Sequence, residues 1–354
     1  MPIVSKRALL GALTLSVAMA LSGCAAEEPA RSAGSGQVNG VDVGDVTLRV
    51  GIFTDQTRAQ TELTDYFKDT PYKIEWARLN GAGPTVQALY GNAIDISLGL
   101  SDTATPKAAA EAKEPWTKEN APFKIVALLK PYAPEKYPST IIAANKSAGI
   151  NTLADLRGKS YTYNEGGNAN ASALLALYKA GLTKADVNVQ LLQSDSIASA
   201  IMSGAVQAGA TSVGKVAPAL ADGTVKQIAT AEEVGFPDYV SVTARTASLA
   251  DPKLDAAIGD FISRATKYHK WSAENPDKVA PSYESTQQLT PEQALQAAHS
   301  DAKLIIPVGP NDPGTKVEDD LAGSLVKAGF LLKPIDITQF LDGRYSSQID
   351  AGNA

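Results

Sequence analysis

The sequence predicts an α/β protein of two domains with mainly parallel sheets. Strand-type runs alternate with helix-type runs through the first two-thirds of the chain, the pattern of βαβ units. The body of the chain, from Val46 on, runs about 300 residues, which suits two domains of roughly 100 to 200 residues each. Several strand-to-helix junctions are short, polar and rich in small residues, as expected where an open α/β sheet meets a ligand.

The first residues read as an export segment. Lys6 and Arg7 precede the apolar run Ala8 to Leu21, which is shorter than the roughly 20 residues of a membrane-spanning helix and has the flanks of a signal peptide. Leu21-Ser22-Gly23-Cys24 resembles the lipobox of bacterial lipoproteins, whose cysteine becomes the lipidated first residue of the mature chain. Cys24 is the only cysteine, so no internal disulfide can form. Residues 1–23 are therefore expected to be a lipoprotein signal peptide, and lipidation is expected at Cys24. Residues 24–45 hold almost no large apolar side chain and read as a flexible tether.

The elements follow in order. "VTLRVGIF" reads as a strand and "QTRAQTELTDYF" as a helix; "KIEWARL" and "AIDISLGL" are strands flanking the helix "GPTVQALYG". "FKIVALLK" and "STIIAA" come next, separated by a loop with Pro and Tyr. Then come the strand "KSYTY", the helix "ASALLALYKAG", the strand "VNVQLL", the helix "SIASAIMSG" and the strand "VQAGAT". In the first of these helices Leu174, Leu175, Tyr178 and Leu182 recur at helical spacing, and Gly181 stands where a left-handed C-terminal residue belongs. From Asp251 the pattern turns mostly helical. Leu254, Ile258, Phe261, Ile262, Ala265 and Tyr268 form one stripe, Pro276 ends that helix, and "PEQALQAA" starts another.

Removing residues 1–23 leaves 30 Lys and Arg against 38 Asp and Glu, a net charge of −8. With no Lys/Arg-rich run, a nucleic-acid partner is excluded, because phosphate neutralisation needs clustered basic surface. No nucleophile elbow, P-loop, HExxH or Cys/His metal spacing occurs, so neither a catalytic set, a metal nor a cofactor is expected. The two histidines, His269 and His299, fall in helical segments and read as structural or surface residues.

Chemistry concentrates in five junctions: "FTDQT", "NGAGP", "GLSDTATP", "NEGGNANAS" and "ATSVGKVAP". Glycine at a helix mouth weakens secondary structure unless the bare backbone is needed, and open first-turn amides hold anionic or polar ligands. Helix capping by Asn, Ser or Asp is the plainer reading of any one junction. Five along one chain, split between two candidate domains, exceed what caps alone would place.

The order "IEWARLNGAGPTVQALYGNAIDISLGLSDTATPKAAAE", then "STIIAANKSAGINTLADLRGKSYTYNEGGNANASALLALYKAGL", resembles the substrate-binding lipoproteins of ABC importers for aliphatic sulfonates. The wider group takes in taurine, nitrate and thiamine-precursor receptors. The resemblance rests on "AGP" opening a helix, the strand end at Asp95 to Leu100, "LADLRGK" before a strand, and the helix mouth at Gly166. It covers roughly Val46 to Ala244, and the last third only through "WSAENPDKVA".

The resemblance implies a two-lobed periplasmic-binding-protein fold with a hinged ligand cleft. Residues 46–140 plus 241–350 would form lobe one and 141–240 lobe two. It implies a ligand site of Thr54, Asp55 and Gln56 in the first junction and Gly81, Ala82, Gly83 and Pro84 in the second. Ser101, Asp102 and Thr103 would come from the third, Glu165, Gly166, Gly167, Asn168 and Asn170 from the fourth, and Thr211 and Lys215 from the fifth. The implied role is that of a monomeric receptor, lipid-anchored on the extracytoplasmic face of the cell membrane. It would close on a small polar or anionic solute and deliver it to an ABC permease and its ATPase. Asp55, Asp102 and Glu165 would repel a dianion, so a taurine-like aminosulfonate is expected, with Glu165 facing its ammonium. A receptor for nitrate or a thiamine pyrimidine precursor, a sensor subunit, or a periplasmic enzyme are the rival readings.

Overall fold

The computed structural model describes residues 36–354. Residues Ser35–Ala354 form one compact unit. The export segment and Cys24 lie outside the described residues.

The described chain begins with a hairpin of β1 (Gln37–Val38) and β2 (Val41–Asp42), turned by Asn39 and Gly40 at positive φ. Asn-Gly is the pair that a two-residue hairpin turn prefers. Val38 and Val43 are buried in the core. Residues 36–45 are thus part of the folded body and not of the expected tether, because two valines suffice to pin a tight hairpin to a neighbouring helix.

Next come β3 (Thr47–Ile52), α1 (Asp55–Thr61), β4 (Lys73–Arg78), α2 (Ala82–Tyr90), β5 (Ile96–Ser101), α3 (Ala104–Glu111) and β6 (Phe123–Pro131). Helix α1 stops at Thr61, whose hydroxyl donates to the Arg58 carbonyl, short of the longer helix that the sequence predicts. The chain then passes to β7 (Thr140–Asn145), β8 (Ser160–Tyr163), α4 (Asn168–Lys179), β9 (Asn188–Leu191), α5 (Ser194–Met202), β10 (Ala208–Ser212), α6 (Val213–Ala221) and β11 (Val225–Thr230). It returns through β12 (Val240–Arg245), α7 (Thr246–Ala250), α8 (Pro252–Glu274), α9 (Pro276–Gln287), α10 (Pro291–Asp301), β13 (Lys303–Ile306), α11 (Pro313–Lys327) and α12 (Ser346–Asn353).

Two sheets result. One has the order β13-β6-β12-β5-β3-β4, the other β11-β7-β10-β8-β9. Each is mixed. Strands β3, β4 and β5 run parallel, as do β8, β9 and β10, as the βα alternation leads one to expect. The antiparallel pairs come from strands β6, β7, β11, β12 and β13, which flank the two passages of the chain between sheets or return to an edge.

Strand β7 shows why these residues form a doubly covered sheet. Ile142 and Ala144 belong to the core shared with α4, while Ile141 and Ala143 face the core of α5 and α6. Alternate residues of a strand point to opposite faces, so a continuous apolar run is buried on both. In the other sheet Val50, Ile96 and Leu98 share a core with Ile258, Phe261 and Ile262 of α8. That is the apolar stripe read from the sequence.

Candidate functional site

The two passages between the sheets are tied together at Asp238. Its backbone takes a positive φ of 58°, a conformation that Asp tolerates better than most residues. Thr140 Oγ1 donates to Asp238 Oδ1 at 3.0 Å, and Ser139 donates to the other oxygen. Burial pushes the Asp238 carboxyl up, while Lys303 and the two hydroxyls pull it down. Beside it, Lys303 Nζ lies 3.4 Å from Ser139 Oγ.

Above this tie lies a cavity of about 270 Å³ between the sheets. Helix starts converge on it: Gly81 and Ala82 of α2, Gly167 to Ala169 of α4, Ser194 of α5 and Ser212 before α6. None of these helices has a side-chain cap, so their first-turn amides are open to a ligand. Six other described helices also lack such a cap, so openness alone marks nothing. Convergence on one cavity with Lys215 and Lys303 in its wall is what marks this place.

A second compartment of about 270 Å³ shares Phe53, Gly99, Ser212, Lys215, Asp301 and Lys303 with the first, so the two adjoin. It runs toward α1, α8 and α9 and is walled by Thr54, Gln56, Tyr268, His269 and Tyr283. Tyr283 donates to Asp301 at 2.7 Å. Burial, helped by the charge of Lys303, pushes His269 down to about 4, so its imidazole is neutral at physiological pH. A third space, an outer groove of about 430 Å³, runs between α2, α3 and the loop ahead of α4.

The residues expected from the sequence divide among these places. Gly81, Ala82, Ser101, Gly167, Asn168, Thr211 and Lys215 meet at the first cavity. Thr54 and Gln56 line the second compartment, with Lys215 again. Gly83, Pro84, Glu165 and Gly166 line the outer groove. Asp55 is exposed and lies 3.5 Å from Arg78.

The geometry places four of the expected residues differently. Glu165 is exposed in the outer groove, where water screens its charge, so it does not sit in a dry cleft facing an ammonium. Asn170 accepts from the Gly166 amide at 3.1 Å, so that amide is not bare and Asn170 is turned inward. Asp102 is fully buried behind the cavity wall, where its Oδ1 accepts from its neighbour's amide, Thr103 N–H, at 2.7 Å. Thr103 is also buried, and its hydroxyl meets Asn168 Oδ1 at 3.2 Å.

Residues that sequence reasoning missed are Ser139, Thr140, Asn164, Ser194, Asp238, His269, Asp301 and Lys303. Lys303 and Asp301 flank the start of β13, a four-residue strand in a stretch read as helical. The signal available was "KLII", a short run of β-type residues.

The order of elements, the two sheets joined by paired passages and the cavity at the strand ends identify the architecture. The fold is that of the periplasmic binding proteins. Over 84% of this chain and 98% of the other, it resembles the alkanesulfonate-binding protein SsuA from Xanthomonas axonopodis pv. citri bound to MOPS, at 17% identity and a TM-score of 0.69. It also resembles the periplasmic aliphatic sulphonate binding protein SsuA from Escherichia coli, at 19% identity and a TM-score of 0.64 over 84% and 92% of the two chains. The desulfurization enzyme DSZB shares the fold as well, at 12% identity and a TM-score of 0.57 over 87% and 99%. Residues 117–279 match the family described as NMT1/THI5 like. No curated protein sequence matches the chain. These likenesses agree with the fold that the sequence resemblance implies.

Proposed function

We propose that the protein is an extracytoplasmic solute-binding receptor of an ABC importer, anchored through lipid on Cys24, which binds a small sulfonate between two lobes. The lobes are built on the two sheets, and the passages tied at Asp238 act as their hinge. Closure brings the helix starts of α2 and α4 together on the ligand, and the loaded monomer delivers it to the permease. No described helix is long and apolar enough to cross a membrane.

The observation that carries this reading is the cavity itself. Open amides of helices from both sheets face it together with two ammonium groups. Lys215 is shared with Asp195 at 3.5 Å, and Lys303 stands beside the buried Asp238. One unit of negative charge can be held there by amides and lysine. A dianion would meet Asp238 and Asp301 with too little compensation. The ligand is therefore a monoanionic sulfonate whose far end is polar, taurine-like in that respect.

Binding fits the wall better than catalysis. His269 walls the second compartment, and no hydroxyl or thiol is hydrogen-bonded to its Nε2, as a nucleophile would be. A thermal-shift screen of the mature protein against sulfonates, nitrate, bicarbonate, pyrimidines and flavins tests the reading. A single-site ligand at 100 times its Kd stabilises by about 2.7 kcal/mol. A shift with sulfonates is expected; a shift with another class and none with sulfonates would overturn the assignment.

A further inference from the structure

The second compartment holds polar atoms that the fold leaves unanswered. Gln56 is only 7% exposed, its amide oxygen accepts from Gln287, and its Nε2 has no hydrogen-bond partner. His269 Nε2 is likewise buried and unpartnered. Both residues wall the same compartment, and the compartment opens onto the cavity that holds Lys215 and Lys303. Buried polar atoms are nearly always satisfied, and groups left without a partner in a cleft point to what the ligand brings.

We infer that this compartment receives the far end of the ligand and that this end carries a hydroxyl group, so that the natural substrate is a hydroxylated organosulfonate. The inference rests on the sulfonate reading of the adjoining cavity and deepens it. Three candidate ends can be compared. A plain alkyl end would leave Gln56 and His269 as unpaired as they are now. An ammonium only donates, so it would leave the Gln56 amide nitrogen without an acceptor, and it would approach Lys215 and Lys303. A hydroxyl both donates and accepts, so it answers Gln56 and His269 whichever way the amide is turned and whichever imidazole nitrogen carries the proton.

The charges around the compartment favour the neutral end for the same reason. Asp301 already takes the Tyr283 hydroxyl, and Lys215 already faces Asp195 and the Ser194 carbonyl. A second anionic group on the ligand would meet Asp301, whose charge the neutral Tyr283 hydroxyl does not cancel, and an ammonium would meet Lys215 and Lys303 beside it. Sites built to hydrogen-bond a hydroxyl discriminate strongly against analogues that lack it.

The test is calorimetric titration of the wild-type mature protein with matched pairs: ethane-, propane- and butanesulfonate against their terminal hydroxyl and terminal amino derivatives. At the best chain length the hydroxyl compound is expected to bind at least roughly tenfold tighter than the alkyl and tighter than the amino compound. Gln56→Met and His269→Phe are expected to shrink the hydroxyl-to-alkyl ratio several-fold, each compared within the same variant. Binding of the whole series with no hydroxyl preference, or with the amino compound tightest, overturns this inference alone. Binding of none of the series overturns the sulfonate reading, and the inference with it.

Discussion

Asn80 Nδ2 donates to Asp195 Oδ2 at 3.0 Å, which ties the segment after β4 to the first turn of α5 and so one sheet's rim to the other's. Arg78 lies 3.5 Å from the same oxygen, and Lys215 lies 3.5 Å from the other. One carboxylate therefore links the mouth of the cleft to a lysine of the cavity. These groups are about half exposed, so each contact is worth at most about 1 kcal/mol. In the proposed hinge closure such a link would act mainly on the closed state. Asp195→Ala should raise the ligand's dissociation rate roughly fivefold and leave its association rate nearly unchanged. Stopped-flow kinetics would show it, and an unaltered dissociation rate would remove Asp195 from closure.

Behind the cavity the carboxyls of Asp102 and Glu318 adjoin in the core, and Asp102 Oδ2 and Glu318 Oε1 lack hydrogen-bond partners. Burial pushes both up, Glu318 from 4.5 to about 7 and Asp102 well above the carboxylate range, with Glu318 adding to the Asp102 shift. Both groups hold protons in the folded chain at a pH where the unfolded chain has lost them. The contribution of Glu318 to stability is full below its unfolded value near 4.5 and is lost as pH rises through about 7; Asp102, also raised, adds a fall of the same sign. The melting temperature should therefore fall across that window. Glu318→Gln, which is neutral throughout, should flatten the fall and stabilise at pH 8 by up to about 3 kcal/mol. Thermal denaturation of both proteins across that pH range checks it; parallel curves would contradict the account.

Gly167 sets how closely the helix starts approach. A Cβ there would stand 3.0 Å from Ser101 Oγ and 3.6 Å from the Ala82 side chain. Its φ of −108° is open to any residue, so a larger side chain obstructs closure without straining the backbone. Gly167→Val should weaken ligand binding at least roughly tenfold, a loss of about 1.4 kcal/mol, with a melting temperature near wild type. Full affinity in the folded variant would take this contact out of the binding site.

Much of this arrangement was legible in local sequence. The α8 stripe announced itself by period, and the glycine-bearing mouths at Gly81 and Gly167 by composition. Lys303 was not legible, because its place depends on β13 pairing with β6 from a distant part of the chain. Asp102 looked like a ligand acid for a related reason. The helix that buries its carboxyl, α11, comes far later in the sequence, and no local pattern predicts the meeting. Asp238 hid in a loop whose value lies in a left-handed backbone and two hydroxyls from the other passage. Sequence period speaks for elements, and pairing between distant elements decides which side chains share a cavity.

The anchor has its own check. Cys24→Ser should leave the exported protein unlipidated and move it from the membrane fraction to the soluble one. A variant that still sediments with membranes as wild type does would exclude Cys24 as the anchor.

In the proposed function a sulfonate is held between the two sheets by helix-start amides with Lys303 in the wall. Isothermal calorimetry of a short alkanesulfonate with wild type and Lys303→Met tests it most directly. The expected result is one-site binding to wild type and a roughly 10- to 100-fold weaker constant in the variant, the worth of a charge-assisted hydrogen bond. No binding to wild type, or equal affinity for the two proteins, would contradict it.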